Sequence, residues 1–196
     1  MKKVLVAYAT MAGSTFEVAQ AVGEEFTKQG FQADVLPVRE VKSLQEYDGV
    51  VVGGPMIMGW HREARRFLRK HRKAFSQVPL AVFVLAISLT RTSTINVGGI
   101  PIVVDEDLLK PPKVQGKLSF RERYAQLDKY LAPIANATRP AKPESIGVFG
   151  GRLEYGRLKW WAVLFVMLVI QAPAGDKRNW EIIRSWAAGL PVQMKI

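Results

Sequence analysis

An apolar run, Val4-Leu5-Val6-Ala7-Tyr8-Ala9, breaks into Thr10-Met11-Ala12-Gly13-Ser14-Thr15 and leads directly into a segment of helical pattern. A buried strand thus delivers a cluster of hydroxyls and one flexible glycine to a helix N-terminus. The first-turn N–H groups of a helix lack intrahelical partners, and its macrodipole favours negative charge there. Such a turn suits a phosphate. Ser14 and Thr15 can donate to phosphate oxygens or cap the helix, and a plain N-cap accounts for Ser14 equally well. The turn holds neither the Gly-Lys-Ser/Thr of a nucleoside-triphosphate loop nor the Gly-x-Gly-x-x-Gly of a dinucleotide site. Hydroxyls and amides alone fit a single phosphate monoester.

The elements that must position this turn follow from periodicity. Apolar Val18, Ala19, Val22 and Phe26 share one face of a helix over 14–28, with Gln29-Gly30 as its stop. Further strands are predicted over 31–38, 50–52, 80–88 and 146–149, and helices over 62–75, 122–137 and 179–188. Strands alternating with helices imply an α/β fold: a doubly wound, five-stranded parallel sheet with helices on both faces. Ligands in such folds bind outside the carboxyl ends of the strands. Those ends carry Thr10–Thr15, then Pro55-Met56-Ile57-Met58-Gly59-Trp60, then Ala86-Ile87-Ser88-Leu89-Thr90, and finally Gly150-Gly151-Arg152. The second loop is too rich in Met and Trp for an ordinary solvent loop. It either holds a flat ring or packs against a neighbouring helix.

Composition narrows the function classes. With 196 residues, 48% of them hydrophobic, the chain can build one well-cored domain over 1–196. The absence of cysteine excludes disulfides, thiolate metal sites and cysteine nucleophiles, and two histidines leave no basis for a multi-histidine metal site. A receiver domain would need carboxylates at the ends of strands one and three, where this chain has Ala9-Thr10 and Gly54-Pro55. No metal site is expected. Met1-Lys2-Lys3 before an apolar run looks superficially like a leader, but the run ends in a polar turn without a small-residue cleavage site. The expected location is cytoplasmic.

Taken together, these features resemble the flavodoxin superfamily. Thr10-Met11-Ala12-Gly13-Ser14-Thr15 matches its Thr-x-x-Gly-x-Thr phosphate loop. Within it, the chain is similar to the flavodoxin-domain family that includes menaquinone-dependent protoporphyrinogen dehydrogenase. Three stretches carry that similarity: Gly53–His61, Gly150–Tyr155, and Gly175-Asp176-Lys177-Arg178-Asn179-Trp180. The resemblance implies FMN as cofactor, with its phosphate on Thr10 to Thr15. It further implies that the ring lies between Pro55–Trp60 and Ala86–Thr90. No side chain is an evident acid–base catalyst, so the flavin would carry the chemistry. The reaction implied is FMN-dependent oxidoreduction, from protoporphyrinogen to a quinone-type acceptor. The alternative is an FMN-binding electron-transfer protein without a small-molecule substrate of its own. Electron-carrier flavodoxins are typically acidic, whereas this chain carries a net charge of +11, ill suited to docking on basic partners.

Two further features point to a surface. Arg62, Arg65, Arg66, Arg69, Arg72 and Lys73 recur opposite the apolar face of their helix. This stripe reads as a solvated face, an anionic-lipid contact or a site for porphyrinogen carboxylates. With few interleaved aromatics, it does not read as a nucleic-acid surface. The segment 160–172, WWAVLFVMLVIQA, is too short for the roughly 20 apolar residues of a spanning helix. It fits an interfacial anchor, a quinone-facing surface or an oligomer interface, which would place the protein peripherally on the inner face of a membrane. Finally, a long insertion over about 90–120 follows the fourth strand, as a lid over the flavin or an edge hairpin.

Overall fold

The computed structural model describes residues 1–56, 59–91, 99–114, 117–153 and 175–196. Its strands are β1 (Lys3–Tyr8), β2 (Gln32–Pro37), β3 (Gly49–Pro55), β4 (Leu80–Ala86), β5 (Leu89–Thr90), β6 (Ile102–Val104), β7 (Leu109–Lys110), β8 (Ser145–Gly150), β9 (Arg152–Leu153) and β10 (Gly175–Asp176). The helices are α1 (Ser14–Lys28), α2 (Arg62–His71), α3 (Phe120–Tyr124), α4 (Leu127–Thr138) and α5 (Trp180–Met194). Six strands form one parallel sheet in the order β2-β1-β3-β4-β8-β6. β5 pairs with β7, and β9 with β10.

Alternation along each central strand builds a core on both faces of this sheet. Leu5, Ala7, Val50, Val52, Leu80, Val82, Val84, Ile146 and Val148 turn to the side covered by α2 and α4, meeting Ala64, Phe67, Leu68, Leu131 and Ile134. Val4, Val6, Val51, Ala81, Phe83 and Phe149 turn the other way, onto Val18, Val22, Phe26, Ile183, Trp186 and Leu190 of α1 and α5. Each fully buried Val or Leu is worth roughly 1.5–3 kcal/mol over its exposed state. A one-residue slip would exchange the two faces, so the register is strongly specified. That register pairs Tyr8 with Gly53, Pro55 with Leu85 and Ala86 with Gly150. The carboxyl ends of β1, β3, β4 and β8 therefore finish side by side.

The structure corrects several sequence expectations. The sheet has six strands rather than five: Ile102–Val104, expected in a lid or an edge hairpin, extends the sheet beside β8 through Ile102↔Ile146 and Val104↔Val148. The helix expected over 122–137 is two helices. The break falls at Ala125-Gln126, where the Thr90 N–H donates to the Ala125 carbonyl and Gln126 bridges to Thr90. α2 ends at His71, with a short 3-10 turn over Ala74–Ser76. α5 extends to Met194, and the Asn179 side chain caps it by accepting from the Ile182 N–H. Ile57, Met58, residues 92–98 and the segment 160–172 lie outside the described residues. Among the described residues, no helix is long and apolar enough to cross a membrane.

Candidate functional site

The phosphate-type turn is built by its glycine. Gly13 adopts φ 92°, a left-handed conformation, and stands as the N-cap of α1. Few residues other than glycine hold that conformation without strain. Its carbonyl accepts from the Phe16 N–H (3.0 Å), and its own N–H donates to Thr10 Oγ1 (2.9 Å). The N-cap is thus Gly13, and the alternative in which Ser14 caps the helix does not hold. Ser14 and Thr15 occupy the first two helical positions, where backbone N–H groups have no intrahelical acceptor. Thr15 is fully buried, and its Oγ1 has no hydrogen-bond partner among the described residues. A buried, unsatisfied hydroxyl costs about 1–3 kcal/mol, and a phosphate oxygen at the turn would relieve that cost. Met11 and Ala12 complete the loop, with Met11 exposed.

The two ring-side loops sit at the same edge, with their side chains differently disposed. Met56 and Trp60 are both buried in the core beneath α2 and α4. Trp60 Nε1 donates to the Gly54 carbonyl (3.2 Å), and the indole lies so close to Gly54 that a Cβ there would meet Nε1 at 3.0 Å. The apolar composition of this loop therefore serves packing against the α2 side, through Ala64, and neither side chain offers an open ring wall. Pro55 and Gly59 are half-buried at the rim. Gly59 has φ 118°, and the bridge between Met56 and Trp60 closes the loop. In the second loop, Ala86, Leu89 and Thr90 are buried while Ile87 and Ser88 are half-buried. Those two, with the rim of the 55–60 loop, are the surface a ring could meet.

An ion-pair cluster beside the turn escaped the sequence reading. Glu17, one turn into α1, accepts from Arg152 Nη2 (2.6 Å) and Arg178 Nη1 (2.7 Å). Arg178 also pairs with Asp176 (2.5 Å) and stacks on Trp180 at 4.5 Å, leaving its side chain 3% exposed. The Arg178 hydrogen bond, foremost, holds the Asp176 carboxyl below its usual range. The start of α1 is thereby locked to β9 and β10 with its charges balanced. Lys177 closes the edge between β4 and β8: its Nζ reaches the Ile87 carbonyl (3.4 Å), and its N–H donates to the Gly151 carbonyl (3.1 Å). Burial, with Lys110 nearby, lowers the Lys177 pKa. The opposite charges are in the sequence, Glu17 early in α1 and Arg152 and Arg178 after β8, but no local pattern pairs them.

Gly150 is what allows this closure. A Cβ there would lie 1.8 Å from the Lys177 carbonyl oxygen, backbone that cannot step aside alone. Gly150→Ala is therefore expected to push residues 175–178 off the edge. The loss should be at least the 1–3 kcal/mol of an overpacked site, read as a lower urea midpoint at unchanged m-value.

Among the described residues, no group of three or more His, Asp or Glu could hold a metal. The six-stranded order contains β2-β1-β3-β4-β8, the 2-1-3-4-5 arrangement of flavodoxin-like sheets. The flavodoxin-domain family model matches residues 5–179, and the chain belongs to that family. A flavodoxin from the domain Archaea is 12% identical, with 99% of each chain covered and a TM-score of 0.54. A short-chain flavodoxin associated with a non-canonical PDU bacterial microcompartment is 14% identical, again over 99% of each chain, at 0.52. Flavodoxin 1 from Bacillus cereus is 20% identical over 44% of this chain, at 0.38, and this chain spans 63% of that protein. No curated protein matches. At these identities the archaeal and microcompartment flavodoxins show the fold, and the family implies FMN as the cofactor.

Proposed function

We propose that this chain binds FMN at the carboxyl edge of its sheet and works as a flavodoxin-like electron-transfer protein. The observation that carries this reading is the buried, unpartnered Thr15 Oγ1 in a glycine-capped turn at a helix N-terminus. Thr10, Ser14, Thr15 and the amides of 11–15 would hold the phosphate. Pro55, Gly59, Ile87 and Ser88 would border the ring, and the buried Met56, Trp60, Ala86, Leu89 and Thr90 would support them from beneath. FMN, when bound, supplies reversible electron transfer through its ring system. The chain fixes the phosphate end, keeps the start of α1 in place through Glu17, Arg152 and Arg178, and sets the local charge through Lys177.

A second, finer reading is an FMN-dependent oxidoreductase of the protoporphyrinogen-dehydrogenase type, with a quinone-type acceptor. It is favoured by the net charge of +11 and by the packing of two resembling stretches against each other, where Gly150 meets Lys177. The assay that separates the two is steady-state oxidation of protoporphyrinogen IX by the FMN-loaded protein with a menaquinone analogue. Turnover dependent on the quinone supports the finer reading. FMN binding without turnover leaves the electron-transfer reading.

A further inference from the structure

At the other end of the sheet from the 10–15 turn lies a hollow of 960 Å³, between the C-terminal ends of α2 and α4. It opens where β4, β6 and β8 begin, since its walls come from the residues just before those strands. Ile100, Ala135 and Ala141 give it an apolar floor, and Arg72, Lys73, Arg139 and Lys142 stand around its rim, with no acidic residue lining it among the described residues. A helix C-terminus accounts for one cation at each end, where it offsets the negative pole of the dipole. Arg72, Lys73 and Arg139 around one apolar hollow already exceed that need. The exposed Arg69 and Lys70 in the last turn of α2 add to the charge beside the rim, whereas Arg62 and Arg66 lie towards the 55–60 loop at the other end of the helix.

We propose that this hollow docks the protein on a bilayer surface, by taking the headgroup and glycerol region of an anionic phospholipid. Charge complementarity selects the phosphate: guanidinium and ammonium groups on the rim pair with it, and Arg offers bidentate contacts. The apolar floor accepts the less polar glycerol-ester part. A juxtaposed basic face adds long-range attraction to an anionic leaflet, which decays within a Debye length. The hollow and the 10–15 turn lie at opposite ends of the parallel strands. A chain seated this way turns loops 55–60 and 86–90 away from the bilayer, towards a water-borne partner. That orientation favours electron transfer over handing electrons to a quinone in the same bilayer. The docking itself does not depend on FMN.

Flotation with phosphatidylglycerol–phosphatidylcholine vesicles, against phosphatidylcholine alone, tests the proposal on the full chain. The wild type should float only with the anionic vesicles. Lys73→Glu/Arg139→Glu should weaken vesicle affinity about tenfold or more, whereas Arg62→Glu/Arg66→Glu, the same change in net charge outside the hollow, should weaken it less. Ala135→Phe, which fills the floor without changing charge, should weaken binding while leaving FMN affinity and the thermal midpoint unchanged. If the two charge-reversal pairs lose affinity equally and Ala135→Phe loses none, diffuse charge rather than the hollow holds the lipid. Absence of wild-type flotation overturns the proposal outright. So does binding of inorganic phosphate at the hollow without vesicle binding, which would assign it to a free anion.

Discussion

Thr15→Val is expected to make the cofactor-free protein more stable and its FMN complex weaker, two effects of opposite sign from one oxygen atom. The Thr15 hydroxyl is fully buried and has no hydrogen-bond partner among the described residues. Replacing it with a methyl of similar size removes an unsatisfied polar group, a gain of about 1–2 kcal/mol in urea unfolding. The same change removes a donor to a charged phosphate oxygen. A hydrogen bond to a charged group is worth about 1.5–3 kcal/mol, so FMN affinity should fall roughly tenfold to a hundredfold. Riboflavin, which has no phosphate, should bind both proteins alike. Thr15→Asp goes further: a carboxylate suits a helix start but would face the phosphate directly, and FMN binding should be lost. If Thr15 served the helix alone, the Asp variant would bind FMN as the wild type does.

Arg178→Met should give the largest loss of stability among the charged residues of the site. It keeps most of the side chain's apolar stem and removes the charge that joins Glu17 to Asp176. Breaking a fully buried pair costs about 3–5 kcal/mol; with Glu17 32% and Asp176 41% exposed, a loss of about 2–3 kcal/mol is expected. The pH dependence follows from Asp176, whose folded pKa lies below its unfolded value. A depressed carboxyl stabilises the fold above the unfolded pKa, near 3.9. That contribution is lost as pH falls from there through the folded pKa. The variant lacks it, so the stability gap between wild type and Arg178→Met should be full at neutral pH and narrow below about pH 4. A gap that stays constant from neutral to acid conditions would show that the ion pair contributes nothing and that only packing was lost.

The legible part of the fold is the part governed by alternation. Val4, Val6 and Val51 against Leu5, Ala7 and Val52 fix two buried faces, and any such sheet needs helices on both sides. Ile102–Val104 was not legible as a strand. Three residues between Gly99-Ile100-Pro101 and Asp105 are too few to show a period, and its partner, Ile146–Val148, is more than 40 residues away. The break between α3 and α4 was hidden for a related reason, since Ala125 and Gln126 are tied to Thr90 by tertiary bonds.

At the site, residue types gave the turn but not its cap. Gly13 takes the position because only its conformation lets the chain enter α1 with Thr10 Oγ1 on its N–H. The Met and Trp content of the 55–60 loop sets it apart from a solvent loop, yet the apolar surface of Met56 and Trp60 is committed to the core. Glu17, Arg152 and Arg178 come from positions 135 and 161 residues apart and meet only after the sheet has formed. No local pattern signals such a meeting.

The central claim is that the turn from Thr10 to Thr15 holds the phosphate of FMN. Calorimetric titration of the purified chain with FMN, FAD and riboflavin tests it most directly. The account predicts one FMN bound per chain, with FAD and riboflavin each weaker, because the turn supplies amides and hydroxyls for a terminal phosphate and no pyrophosphate glycines. Binding of FAD or riboflavin as tight as that of FMN, or no binding of FMN at all, would contradict it.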